Sequence, residues 1–215
     1  MIADWLAAAN DLSTAVVLDA LDEIGLKRQA ILNAPPRTTN AVLAGRAKTL
    51  LWVDFAYDDP DTYALELQAV DSIRPHDLVV CATASSARAG IWGELLTTAA
   101  MQRGAAGLLT DGAVRDLARM EAMGFPVFAR HLSPYDSMNR QKVVAFDIAV
   151  EIDGVRVAPG DIVIADRDGA AIVPQEVAAK ALAAALAKVR AENKFRDAVK
   201  AGMSLTEAYA KFKVL

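Results

Sequence analysis

The sequence predicts an α/β domain built on a layered mixed sheet, with a long helical arm at its C-terminal end. Three observations predict it. Residues 78–129 alternate short β-rich runs with apolar helical stretches, strand–helix–strand–helix–strand, the pattern of parallel strands joined by crossover helices. Residues 143–174 differ: VVAFDIAVEIDGVRV places Asp153-Gly154 between two β-rich runs, a strong hairpin signal. Residues 175–200 then read as one alanine-rich helix, longer than most globular helices. A parallel half joined to a hairpin-rich half favours a layered mixed sheet over a plain doubly wound one. The expected division is a single α/β catalytic domain over 1–174 and a C-terminal helical arm over 175–215. Such an arm is expected to pack on a neighbouring subunit.

Each element has its local reason. Residues 13–25 (STAVVLDALDEIG) predict a first helix, capped by Ser13 or Thr14 and ended by Gly25. Val16, Ala20 and Ile24 share one face, and Asp19, Asp22 and Glu23 lie on a solvated one. Pro35-Pro36 marks a turn, and 41–54 reads as strands broken at Gly45. Asp59-Pro60-Asp61 opens a helix over 61–72 whose expected buried stripe is Ala64, Leu67 and Val70. Arg74-Pro75-His76-Asp77 leads into a strand, and Ala158-Pro159-Gly160-Asp161 repeats that lead-in. The middle of the chain is divided into strand 78–83, loop 84–92, helix 93–103, strand 107–111, helix 114–123 and strand 126–129, with Gly104 and Gly124 at the helix ends. Two more strands flank Asp168-Gly169. Ser204-Leu205-Thr206-Glu207 is a capping box that opens a last short helix.

Composition excludes several classes. The chain has 215 residues, enough for a sizeable core, and its formal charge of −4 is not the basic footprint of a nucleic-acid binder. No apolar run is long enough to span a membrane, and the start, Met1-Ile2-Ala3-Asp4-Trp5, lacks the pattern of a signal peptide. Cys81 is the only cysteine, which rules out an intrachain disulfide and a cysteine zinc site. A soluble cytoplasmic protein is expected.

Chemistry is expected at two polar islands in GELLTTAAMQRGAAGLLTDGAVRD. Glu94 opens a helix just after one parallel strand, and Arg115-Asp116 follow the next. Both should lie beyond the carboxyl ends of adjacent strands, where open α/β sheets bind ligands. Amides near Leu95 and Leu96 can receive an anionic oxygen, a guanidinium can hold a carboxylate, and two carboxylates can hold a hard divalent cation with retained waters. A small keto acid with Mg²⁺ or Mn²⁺ would suit such a set. The residues alone also allow a first-turn acid favoured by the helix dipole and an ordinary surface ion pair.

GELL, followed twenty residues after Glu94 by Arg-Asp, resembles the acid-x20-Arg-Asp signature of class II pyruvate aldolases in the RraA-like family. That family contains 4-hydroxy-4-methyl-2-oxoglutarate/4-carboxy-4-hydroxy-2-oxoadipate aldolases and RraA regulators of RNase E. STAVVLDALDEIG, AGRAKTL, GFPVFAR, VAPGDIVIADRDGAAIVP and GMSLTEAYAKF are also similar to family segments, in family order. The resemblance implies a β/β/α layered, swivelling-type domain assembled as trimers or hexamers. It implies Asp116 as direct metal ligand, Glu94 acting through a water, and Arg115 binding the keto acid and stabilising its enolate. The amides of Leu95 and Leu96, beside Gly93, would take the substrate carboxylate, and Glu192 would come through water from a neighbouring subunit. Some family aldolases carry Asp where this chain has Glu94. Oxaloacetate decarboxylation would pass through the same enolate. A non-catalytic regulator that binds RNase E and a dedicated decarboxylase are the alternatives.

His131, Ser85, Ser86 and Arg88 are candidates for reading the rest of the substrate, or for ordinary structural roles. His76 is expected to be exposed, Cys81 to be inert core, and Asp111-Gly112 to be a turn. Lys48 is a conceivable Schiff-base nucleophile, which the metal reading makes unnecessary.

Overall fold

The computed structural model describes residues 11–38 and 42–214. The reading of the N-terminal start and of position 41 lies outside them. The described residues build one nine-stranded mixed sheet, a separate two-stranded hairpin, and helices on the face away from that hairpin.

Helix α1 (Thr14–Glu23) has Ser13 as its cap, accepting from the Val16 amide. Thr14 instead bonds Asp166, with N at 2.8 Å and Oγ1 at 2.7 Å from its carboxylate oxygens. Gly25 ends the turn at φ +89°. After the short β1 (Ala30–Ile31) comes β2 (Leu43–Asp54), one continuous strand and not a broken pair. Gly45 sits inside it because the neighbouring chain passes too close for a side chain: a Cβ there would meet Leu78 Cβ at 2.7 Å.

Helix α2 (Ala64–Asp71) corrects the expected stripe. Ala64 and Leu67 are exposed, and Glu66, Ala69 and Val70 are buried. The parallel half follows: β3 (Asp77–Ala82), the short β4 (Gly90–Trp92), α3 (Glu94–Gln102), β5 (Gly107–Val114), α4 (Leu117–Ala122) and β6 (Val127–Leu132). β2, β3, β5 and β6 run parallel, and β4 joins β5 where β3 leaves it. β5 runs three residues further than expected. Asp111-Gly112 is therefore strand and not turn. The buried Asp111 carboxylate accepts from Thr83 N (2.7 Å), Thr83 Oγ1 (3.0 Å) and Ser85 N (2.7 Å), which ties down the turn after β3. A Cβ at Gly112 would meet Thr83 Cγ2 at 2.7 Å.

β7 (Gln141–Phe146) returns antiparallel along the far half of β2. β8 (Val150–Ile152) and β9 (Val155–Val157) form the expected hairpin. Asp153 and Gly154 both have positive φ, 53° and 76°, as a two-residue turn of type I′ requires. β10 (Ile162–Asp166) and β11 (Gly169–Val173) complete the sheet, and β10 pairs with the near half of β2. The repeated lead-in is real at atomic detail. Asp77 accepts from Arg74 N at 2.8 Å and Asp161 from Ala158 N at 2.7 Å. His76 and Gly160, the residues before each Asp, both have positive φ.

Side chains alternate across β3. Leu78, Val80 and Ala82 pack toward the β8–β9 hairpin, while Val79 and Cys81 pack toward the helices. The result is a β/β/α stack, the layered class the sequence predicts. Helix α5 (Ala178–Lys200) buries Ala181, Leu182 and Ala185 against a core shared with α1, β10 and β11. Lys188 pairs with Asp19, and Phe195 meets Phe212 of α6 (Leu205–Phe212) edge-on. The arm thus has partners in its own chain. The capping box is present in full, Ser204 with Glu207. No helix among the described residues is long and apolar enough to cross a membrane.

Candidate active site

The site is assembled at the carboxyl ends of β4 and β5. Gly93 caps α3, and Thr97 N is the first amide to bond within that helix, to Gly93 O at 3.1 Å. The amides of Leu95 and Leu96 are left with no acceptor among the described residues, as the first turn of a helix requires. Asp116 caps α4 in the left-handed conformation, φ 56°, unusual for a residue other than glycine. That bend turns its carboxylate back toward α3. Its Oδ2 lies 3.5 Å from the Glu94 amide and 4.0 Å from Arg115 Nε.

Two glycines make room for this. A Cβ at Gly93 would stand 2.8 Å from Asp116 Oδ2 and 3.1 Å from Arg115 Cγ. A Cβ at Gly90 would meet Arg115 Cβ at 2.9 Å and Ser133 O at 2.5 Å. Arg115 is anchored through its own amide on Trp92 O, 2.9 Å. Its Nη2 reaches Asp136 Oδ2 at 2.7 Å. Glu94 accepts from Thr98 Oγ1 at 3.1 Å and lies 3.8 Å from Arg119.

These groups border a cavity of about 380 Å³ that also takes in Tyr63, Glu66 and Asp136. The last three were not legible as site residues in the sequence reading. Asp136 accepts from the Tyr63 hydroxyl and from Met138 N. Although partial burial disfavours its charge, those hydrogen bonds and the Arg115 guanidinium hold its carboxyl below the usual range. Burial, and then the Asp136 hydrogen bond, push the Tyr63 hydroxyl up to about 12. Burial and then the Asp136 charge push Glu66 up to about 8, against the pull of Arg115. One signal could have found Glu66: it stands three, four and seven residues before Ala69, Val70 and Ile73, all buried in the core under α2.

Other candidates fall elsewhere. Glu192 lies 4.0 Å from Arg196 on α5 and does not border this cavity. His131 is half-buried on β6, and Ser85, Ser86 and Arg88 sit in the turn after β3; none borders the cavity. His76 is exposed. Burial pushes the Cys81 thiol far up, in keeping with inert core. Lys48 is buried and held by both oxygens of Asp147 (2.8 and 2.7 Å) and by Ser72 Oγ (2.7 Å), which leaves no free amine for a Schiff base.

The RraA-like family model, Aldolase/RraA, matches residues 14–172. The chain belongs to this family. Protein DlpA of Legionella pneumophila is 27% identical over 205 residues, covering 91% of this chain but only 32% of that protein. A Halalkalibacterium halodurans protein, named as a candidate 4-hydroxy-4-methyl-2-oxoglutarate aldolase, is 26% identical over 172 residues, 80% of this chain and 77% of the relative. Among solved structures, Streptomyces coelicolor RraAS2, described as an unusual member of the RNase ES inhibitor RraA family, superposes with a TM-score of 0.80. It is 28% identical, over 90% of this chain and 96% of its own.

Proposed function

We propose that this chain is a divalent-metal-dependent aldolase that cleaves a 4-hydroxy-2-oxo acid to pyruvate and a second carbonyl compound. The observation that carries the proposal is the convergence of Arg115, Asp116, Glu94 and the unpaired Leu95 and Leu96 amides on one cavity. The named relative above supports the substrate class.

The donor set suits Mg²⁺ or Mn²⁺. Asp116 and Glu94 offer hard oxygen ligands, and the Asp116 carboxylate is engaged only by long contacts. The bare Gly93 lets the Asp116 carboxylate and the Arg115 side chain close in on the start of α3. Among the described residues no three His, Cys, Asp or Glu side chains are grouped to hold a metal. In line with the family resemblance, Asp116 would bind directly, Glu94 through water, and Glu192 would add a carboxylate, also through water, from a neighbouring subunit of a trimer or hexamer. The cation, when bound, supplies Lewis acidity at the keto oxygen.

The chain's own residues do the rest. The Leu95 and Leu96 amides take the substrate carboxylate at the positive end of α3. Arg115, oriented by Asp136, places fixed positive charge where the enolate develops. Glu94 steers a water toward the C4 hydroxyl proton. Oxaloacetate can lose CO₂ to the same enolate, so decarboxylation is the expected side activity.

A coupled assay of pyruvate release over 4-hydroxy-2-oxo acids and oxaloacetate tests this. Activity should vanish in EDTA and return with Mg²⁺ or Mn²⁺; full turnover in chelator would sink the metal reading. The likeness to RraAS2 favours a second reading, a non-catalytic regulator of an RNase E-type ribonuclease. Ribonuclease capture by a chain that releases no pyruvate from any of these acids would put that reading first.

A further inference from the structure

One group in the cavity is unexplained by that scheme. Glu66 is 5% exposed, borders the same cavity as Arg115 and Asp116, and its Oε2 has no hydrogen-bond partner among the described residues. Its neighbours do not compensate it. Arg115 gives its close contact to Asp136, and Asp136 in turn is occupied by Tyr63 and Met138 N. Cys81 of nearby β3 is a fully buried thiol, kept neutral chiefly by that burial. A buried acid without a partner costs stability.

The other titratable groups bordering the cavity have other tasks. Arg115 does not release a proton at any working pH. Tyr63 donates to Asp136, and Asp136 is held as a carboxylate. Glu94 and Asp116 face a cation, an amide or solvent. The aldolase reaction nevertheless needs a proton after the carbon–carbon bond breaks, because the enolate must be converted to pyruvate.

Resting on the aldolase reading, we propose that Glu66 is the proton donor of this cavity and protonates the enolate at the carbon that becomes the pyruvate methyl group. The electron pair of the enolate double bond takes the carboxyl proton to form the new C–H bond, and the keto group is restored. Glu66 is left as a carboxylate and recovers a proton from water, balancing the one lost by the C4 hydroxyl. In oxaloacetate decarboxylation CO₂ leaves without its proton, and water again supplies the one that Glu66 passes on. Burial keeps the acid neutral around neutral pH, in the range where proton transfer is most effective.

The test compares wild type with Glu66→Gln, which keeps shape and neutrality but has no acid proton, using the metal-loaded full chain. Exchange of the pyruvate methyl protons with D₂O should fall by about 10²-fold or more. CO₂ release from oxaloacetate, which makes the enolate without that proton, should fall far less. Oxaloacetate stereospecifically deuterated at C3 and decarboxylated in tritiated water should give a chiral methyl group with wild type and a racemic one with the variant. Infrared spectra of the metal-free chain should show a protonated carboxyl band at neutral pH that Glu66→Gln lacks, a readout independent of turnover. Normal exchange in a folded Glu66→Gln, equal losses in both reactions, a racemic wild-type product or no such band would each overturn the role of Glu66 and leave the aldolase reading standing. A wild-type chain with no pyruvate chemistry under saturating metal would overturn both.

Discussion

Two cavities of equal size, each about 380 Å³, lie at opposite ends of the parallel strands. Helix α2 touches both, with Glu66 near one end and Ser72 just past the other. Around Lys48 the buried and half-buried charges are answered, Lys48 by Asp147 and Ser72 and Arg46 by Asp77 and by Pro75 O; the exposed Arg74 guanidinium alone lacks a partner among the described residues. Around Arg115 the pairing is incomplete. Among the described residues Asp116 has only long contacts, the Leu95 and Leu96 amides find no acceptor, and one Glu66 oxygen has no partner. Satisfied charge holds a fold together, whereas charge left waiting in a concave place is where a ligand completes the hydrogen bonding. The two cavities should therefore respond oppositely to mutation: one in turnover, the other in stability.

The largest effect is expected from Arg115→Ala. Losing fixed charge at a developing oxyanion should lower kcat for pyruvate release by about 10²–10³-fold, with melting temperature nearly unchanged. Steady-state kinetics beside a thermal melt checks both halves. Gly93→Ala comes next. Its Cβ would land on Asp116 Oδ2 and Arg115 Cγ, and a small displacement of both groups should reduce turnover by roughly 10–10²-fold. A fully active Gly93→Ala would mean that the close approach of α3 to Asp116 does not matter to the site.

A third expectation concerns pH. The folded Glu66 stands at about 8, above its ordinary value of 4.5. Between those values the folded chain keeps a proton that the unfolded chain has released, so this group makes stability fall as pH rises through that window, and level off above it. Glu66→Gln removes the slope. Urea titrations should find the variant more stable than wild type by roughly 2 kcal/mol at pH 8 and about equal at pH 4.5, after allowing for relaxation around a buried acid. The smallest effect is expected at the other cavity. Lys48→Met should cost about 1 kcal/mol, since Asp147 is half-exposed and solvent screens the pair, and should leave pyruvate release untouched. A large loss of activity would mean that the two ends of α2 are coupled.

Much of this molecule was legible before its structure. The Asp153-Gly154 hairpin, the Ser204–Glu207 capping box and the twin lead-ins at Asp77 and Asp161 depend on residues close together in the chain, where turn and cap chemistry decide the outcome. The grouping of Glu94 with Arg115-Asp116 was legible for a different reason: neighbouring parallel strands bring their carboxyl ends to one edge of the sheet. The misreadings came from non-local packing. Gly45 looked like a break because its requirement is set by Leu78, and Asp111-Gly112 looked like a turn because its partners are Thr83 and Ser85.

The sequence by itself determined most of the element order, the layered class and the positions of the two polar islands, because period, caps and turns act over a few residues; it missed β4, inside the expected loop 84–92, and the last residues of β5. Only the tertiary structure decided which charges are answered. It turned α2 so that Glu66 and not Leu67 faces inward, brought Asp136 to Arg115 across twenty residues of chain, and closed Asp147 onto Lys48. Those choices depend on burial and on distances between residues far apart in sequence. They separate the cavity whose buried charges are paired from the one that keeps unpaired polar groups.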